Sequence, residues 1–294
     1  MSAPDAALAA QRRRNVRQVM WAELRKAPPS AWFGSIVITI YIGVAIFAPL
    51  LAPYGEAEVV SSQPYAPWSE QFIFGTDQIG RDMLSRLIFG GRNALSIAIM
   101  TTALAFLAGG VLGMIAAISG GWLDQVLARL VDVLMSIPAL VFALILLSIF
   151  GSSVRNLVLI IAMLDATRVF RLARSLAMNV AVADFVEVAR LRGENLAWLV
   201  RREILPNILP PLVAEFGLRF CFVFLTISAL SFLGLGLQPP VADWGSMVRE
   251  NAALITYGDI TPLLPAGAIA LLTVAVNFVV DWFIHRTSGL RDEH

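Results

Sequence analysis

The sequence predicts an all-α integral membrane protein with six transmembrane helices. Three observations carry that expectation. Apolar residues make up 58% of the 294-residue chain and charged residues 15%, against roughly 45–50% and 25% in an average soluble domain. The apolar residues are gathered into runs, and the mean hydropathy is +0.75; crossing a hydrocarbon core of about 30 Å takes about 20 apolar residues in a helix. The arginines, finally, crowd into alternate connecting segments, which fixes a topology under the positive-inside rule.

Taken in order, residues 1–30 are polar and basic, with Arg12, Arg13, Arg14, Arg17, Arg25 and Lys26, and read as a cytoplasmic tail. Residues 31–51 are the first span; the run is longer and later than the apolar core of a cleaved signal peptide. Residues 52–91 carry Glu56, Glu58, Glu70, Asp77 and Asp82 against Arg81 and Arg86, and read as an outer segment. Within it, Asp77, Arg81, Asp82, Ser85 and Arg86 recur at spacings of three to four, which predicts an amphipathic helix over 74–92 lying on the outer surface. Residues 92–286 hold five more spans, at 94–118, 126–150, 157–176, 209–236 and 262–284. Asp132 and Pro138 interrupt the third span, and Asp165 and Arg168 the fourth. Residues 287–294 form a second cytoplasmic tail, so both termini share one side.

Composition also excludes chemistry. The single cysteine, Cys221, can form neither an intrachain disulfide nor a thiolate metal site alone. His285 and His294 are the only histidines and make no metal-ligand pattern, so no metal and no cofactor is expected. There is no G-x-x-x-x-G-K-[ST] loop, so any nucleotide that drives this chain is bound elsewhere. A net charge of +1 does not point to nucleic acid.

The charged stretch between the fourth and fifth spans, 184–206, is the most specific signal. Asp184 can cap a short helix, with Glu187 three residues on as an approximate capping box. Val186, Ala189 and Arg190 share one helical face, and Gly193 permits the left-handed residue that ends such a helix. A second helical segment follows over 196–204, and Pro206, Pro210 and Pro211 stop it and start the next span. Two physical readings are open: an amphipathic pair lying on anionic headgroups, or a docking element for another protein.

Among the charged residues inside spans, four are spaced to form pairs. Asp165 can pair with Arg168 three residues on, and Glu215 with Arg219 four on. Structural pairing, pathway lining and, for Asp165, proton relay are the alternatives for such groups. Outside the membrane, Asp77, Arg81 and Asp82 are candidates for an external docking surface, and Trp244 and Met247 for the outer mouth; Trp244 can equally be an interfacial anchor.

Glu187-Val188-Ala189, then Gly193, then Leu205-Pro206 resembles the "E-A-A, three residues, G, then L-P" loop of ABC-importer permeases. Gly75-Thr76-Asp77, Gly80-Arg81-Asp82 and Ser85-Arg86 resemble the "GTD…GRD…SR" signature of one branch, the second-subunit type of dipeptide/oligopeptide/nickel permeases. Leu230–Gly236 (LSFLGLG), Pro239 and Trp244-Gly245 resemble that branch's "LSFLGLG…P…WG" block. The likeness runs over about residues 32–281. It departs at Val188, where the motif has alanine, at Glu203, where histidine is common, and at Ile227, where relatives often carry an acid. The tail after Asp281 also differs.

The resemblance implies a type I ABC importer (MetI-like) permease fold, with 92–286 as its five-helix core, in a bacterial inner (plasma) membrane. It implies that Asp184, Glu187, Val188, Ala189, Arg190, Gly193, Leu205 and Pro206 couple the chain to ATPase subunits. The implied partners are a homologous second permease, two cytoplasmic ATPase (nucleotide-binding) subunits, a periplasmic or extracellular substrate-binding protein and the lipid bilayer. The implied cargo is a di- or oligopeptide, with nickel, an opine or an oligosaccharide as alternatives. The rival from another class is an ion-coupled secondary transporter using Asp165.

Overall fold

The computed structural model describes residues 27–287. Among them the chain is helical, with isolated β-bridges only at Val59–Arg81 and Thr76–Asp82. Helix α1 is Pro29–Ile46 and the short α2 is Ala48–Leu51. A long loop leads to α3, Met83–Ser119, a single helix of 37 residues. Helices α4 (Gly121–Met135), α5 (Ala139–Phe150) and α6 (Val154–Ala181) follow. Then come α7 (Asp184–Leu191), a turn at Leu196–Trp198, a π-helical stretch Leu199–Ile204, and α8 (Leu205–Phe232). The last two are α9 (Trp244–Asn251) and α10 (Leu263–Thr287).

Each expected span overlaps helix, but the run 126–150 is broken at 136–138, helix ends at Phe232 short of the expected 236, and not all are plain spans. Among the described residues, four stretches are long and apolar enough to cross a membrane: α1, α3, the continuous helix Leu196–Phe232, and Leu263–Arg286. Helices α4 and α5 make a fifth if joined, across a bend of 86° where Pro138 follows Ser136 and Ile137. Helix α6 is 28 residues long, yet Asp165, Arg168, Arg171 and Arg174 dilute its apolar surface.

Two sequence expectations are corrected. The amphipathic surface helix over 74–92 does not form: helix begins only at Met83 and runs on into the second span. Asp77 diverts the backbone before it, because Oδ1 accepts the N–H groups of Ile79 and Arg81, each at 3.0 Å. Such local bonds offer the chain an alternative to helix. Asp82 then caps α3 by accepting the Ser85 N–H at 2.7 Å. Nor do the prolines stop the segment after Leu196, since helix continues through them to Phe232. Pro206 is the second residue of α8 and follows directly on π-helical turns, so its missing N–H falls inside the continuous helix. The widened turns before it, in which the Leu205 N–H reaches back to the Val200 carbonyl, absorb the mismatch.

Packing explains why α3 and α6 form the central pair. Gly109 and Gly113, four apart, face α6: a Cβ on Gly109 would land on the Ala166 carbonyl oxygen, and one on Gly113 would lie 2.6 Å from that of Phe170. Small residues at this spacing let two membrane helices bring their backbones together. Helix α1 runs antiparallel to α10, with Tyr41 donating to the Ala268 carbonyl at 3.1 Å and the Phe33 and Phe278 rings 6.3 Å apart. Helix α8 is antiparallel to α10 too, through Gly217 against Val280 and Cys221 against Thr273. Both ends of the described chain therefore lie at the end of the bundle that bears α7. The buried apolar residues fall into two clusters, one around Phe220, Phe224, Leu230 and Trp244 and one around Met114, Ala173, Val186 and Ile208.

Candidate functional site

Helix α7 forms the tip of the α6–α8 hairpin. Its N-cap is Ala183, not Asp184, and no side chain caps it. The link from α6 is so short that the Ala183 N–H still bonds the Val180 carbonyl at 3.0 Å. Asp184 and Glu187 both lie in the first turn, where negative charge complements the free N–H groups. At the other end, Gly193 takes φ +82°. Its N–H bonds the Arg190 carbonyl at 3.0 Å, and the Glu194 N–H bonds that of Ala189 at 3.2 Å. That paired pattern is the Schellman closure, which needs a left-handed residue where Gly193 stands. Asn195 then caps the next turn, its side chain accepting the Trp198 N–H at 2.9 Å; the signal for this cap is an Asn before an apolar run.

The two faces of α7 differ. Val186 and Ala189 are buried against Met114, Ile118, Ala173 and Ala177 from α3 and α6 and Leu199, Ile204 and Ile208 from the chain that follows. Phe185, Val188 and Leu191 are exposed, as is Val182 just before. Ala189 is thus small because the spans press on it. Arg190 also turns toward the bundle, donating from Nη2 to the Ile118 carbonyl at the end of α3, at 3.2 Å. Leu205 is half-buried and Pro206 exposed.

At the opposite end, Asp77, Arg81 and Asp82 are buried, with Arg86, so they do not form an exposed surface. Asp77 Oδ2 accepts Arg81 Nε at 2.6 Å and lies 3.5 Å from Arg86 Nε. Glu250 Oε2 lies 3.4 Å from the Nη2 atoms of both arginines. Two carboxylates and two guanidiniums thereby pin the 52–82 loop to α9. Glu56 adds a second tie, accepting from Asn93 and from the Ala242 N–H, each at 2.9 Å. Glu250, Glu56 and Asn93 carry no sequence signal for these roles, since their partners are remote in the chain. Trp244 is buried rather than an interfacial anchor: its indole N–H donates to the Leu87 carbonyl at 2.8 Å and its ring fills the space above Gly90 and Gly91. Met247 is fully buried beside it. Asp243 caps α9 through the Ser246 N–H at 3.0 Å, and burial raises its pKa above the ordinary aspartate value.

Between these ends, the two expected intramembrane pairs join into one network. Arg219 Nε donates to Glu215 at 2.6 Å, and Arg219 Nη1 lies 3.7 Å from Asp165 Oδ1. Arg168 Nη1 reaches the same Asp165 oxygen at 3.5 Å. The bridge from α6 to α8 through Asp165 is what sequence spacing does not reveal. Among the described residues there is no group of three or more metal-ligating side chains.

Comparison with known proteins bears on all three regions. Residues 109–288 match the family described as "Binding-protein-dependent transport system inner membrane component". Residues 16–67 match "N-terminal TM domain of oligopeptide transport permease C". The chain is 33% identical to the dipeptide transport system permease protein DppC of Alkalihalophilus pseudofirmus, over 88% of this chain and 83% of that one. It is 33% identical to the di/tripeptide transport system permease protein DppC of Pseudomonas aeruginosa, over 88% and 85%. It is 31% identical to a probable D,D-dipeptide transport system permease protein of Escherichia coli, over 96% and 92%.

Proposed function

The chain belongs to the family of binding-protein-dependent transport system inner membrane components, and from that premise we propose that it is one of two permease halves of an ATP-driven importer of di- or oligopeptides. In this reading it crosses the membrane six times, with α4 and α5 as one broken span and α6 as a span whose polar side is sheltered. Both termini and α7 face the cytoplasm, and the pinned loop and α9 face outward. A homologous permease forms the other half of the pathway, two ATPase subunits dock on the cytoplasmic side, and a substrate-binding protein delivers cargo from outside.

The observation that carries the proposal is the two-faced α7. A helix gripped on one side by three spans and presenting Phe185, Val188 and Leu191 on the other suits a lever that another protein pushes. ATP binding closes the ATPase pair and draws the two α7 tips together, and the attached spans rotate to open outward. Hydrolysis releases them to the inward state. The peptide cargo is supported by the named transport substrates of the relatives; nickel, an opine or an oligosaccharide would use the same machinery.

The test is co-purification from the native host in mild detergent. Wild type should bring down a second permease and the ATPases. Val188→Asp, which puts a charge on the exposed face, and Gly193→Trp, which strains the turn, should lose the ATPases while the permease pair survives. A wild-type preparation without ATPase under gentle extraction would sink the reading. It would favour the ion-coupled carrier, for which the buried Asp165 speaks, although its two guanidinium neighbours already supply the positive charge a coupling ion would bring.

A further inference from the structure

The Asp165 network lies deep in the bundle. At 1.5 Å per residue, Asp165 is about 16 Å and Arg168 about 21 Å from the start of α6 at Val154, and Arg219 is about 20 Å from the end of α8 at Phe232. In the six-span reading, a hydrocarbon core about 30 Å thick that begins at these helix ends encloses all three. The four formal charges cancel, but they are presented unequally. The Asp165 side chain is 5% exposed, whereas that of Arg168 is 43% exposed. A guanidinium so open at that depth is costly against acyl chains, so its face lies along water or a polar surface. Arg171 is exposed on the same side of α6, one turn nearer α7.

The bonding leaves Arg168 available. It makes a single contact within the network, at 3.5 Å to Asp165. Asp165 has a second cation in Arg219 at 3.7 Å, which is itself held by Glu215 and stacked on the Phe222 ring, 5.0 Å from its centroid. If Arg168 turned to another anion, Asp165 would keep the Arg219 charge at 3.7 Å but no hydrogen bond, its Oδ2 already being without a partner among the described residues. The guanidinium fork matches a carboxylate in two-pronged geometry. Because Asp165 competes for it, such an anion would be held loosely enough to leave, as a pathway requires.

We propose that Arg168, steadied by Asp165 and backed by Arg219, is a transit site on the translocation path that takes the C-terminal carboxylate of a passing peptide. The proposal rests on the peptide-importer reading, and the experiment separates the two. The complete importer is reconstituted in liposomes with its binding protein, and ATP-driven uptake of radiolabelled peptides of two to five alanines is followed. Arg168→Met should lower uptake about tenfold, and Arg168→Lys should recover at least half. In the same complexes, phenylglyoxal modification of Arg168 is read by mass spectrometry. Trialanine should protect the residue severalfold, and trialanine amide should not. Equal losses in the Met and Lys variants, no loss in either, or equal protection by acid and amide overturns the transit site while wild-type uptake leaves the importer standing. Absence of ATP-driven uptake by wild type overturns both.

Discussion

Asp77→Asn isolates the buried ion cluster at the loop end of the bundle. The substitution keeps Oδ1, so the bonds from the Ile79 and Arg81 N–H groups survive. What it removes is the charge at Oδ2, which Arg81 meets at 2.6 Å and Arg86 at 3.5 Å. Two carboxylates against two guanidiniums become one against two, and the arginine side chains are only 4% and 1% exposed. A unit charge 4 Å from another is worth about 4 kcal/mol at an effective dielectric of about 20. Removing one partner of a buried pair typically costs about 3–5 kcal/mol, because the remaining charge is stranded. For a chain of this size each kcal/mol moves the thermal midpoint by about 2–4 °C, so the midpoint should fall by about 10 °C in detergent. The Asp77→Asn, Arg81→Gln double variant removes one charge of each sign and should be about 1–3 kcal/mol less damaged than the sum of the two singles. A single variant within 2 °C of wild type, or strictly additive costs, would refute the stranded-charge argument.

Two further predictions follow from geometry elsewhere. Gly109 and Gly110 are neighbours on α3, but a Cβ on Gly109 would strike the Ala166 carbonyl while one on Gly110 meets nothing within 4 Å. Gly109→Ala should therefore destabilise by about 1–3 kcal/mol and Gly110→Ala should be neutral or stabilise by up to about 1 kcal/mol; equal effects on thermal unfolding would remove the close-approach account. At α9, the raised pKa of Asp243 means the folded state holds the proton more tightly than the unfolded one. Stability is then greatest below the ordinary aspartate range and falls as pH rises through the raised value. Asp243→Asn should flatten that fall, which a pH series of thermal midpoints would detect; an unchanged slope would put its origin elsewhere.

The sequence was most legible where local rules govern. The apolar runs, the turn at Gly193 and the i,i+4 pair Glu215–Arg219 all depend on residues close together in the chain, and all are found where the spacing put them. It misled where polar residues sit at helical spacing but outside a helix. Asp77, Arg81 and Asp82 read as the wet face of an amphipathic helix, yet Arg81 is matched by Asp77 and by Glu250, remote in sequence, Asp82 caps α3, and all three are buried. Trp244 shows a related limit: its position suits an outer mouth or an anchor alike, and only the facing Gly90 and Gly91 make room to bury it. Periodicity reports that one side of a segment is polar; whether that side meets water or a countercharge is decided by the rest of the fold.

The same distinction bears on how motion at α7 would reach the spans. Continuity of the chain ties α7 to α6 and α8, but α3 is joined to it only by side-chain contacts. Those are the apolar cluster that Val186 and Ala189 share with Met114 and Ile118 and the bond from Arg190 to the Ile118 carbonyl. That carbonyl belongs to the last turn of α3, one of the four that a helix leaves without an internal partner, so Arg190 both caps α3 and ties it to α7. A methionine at 190 would keep most of the stem and lose the tie. Arg190→Met should then leave the chain folded and the ATPases bound, because the exposed apolar face of α7 is untouched. It should lower peptide transported per ATP hydrolysed, since the α6–α8 hairpin would move with less of α3 in train. A charge-assisted bond is worth about 1.5–3 kcal/mol, enough for a coupling loss of about tenfold. Unchanged stoichiometry in reconstituted importer would mean that packing alone carries α3, and ATPases lost with the arginine would mean that Arg190 serves the docking face instead.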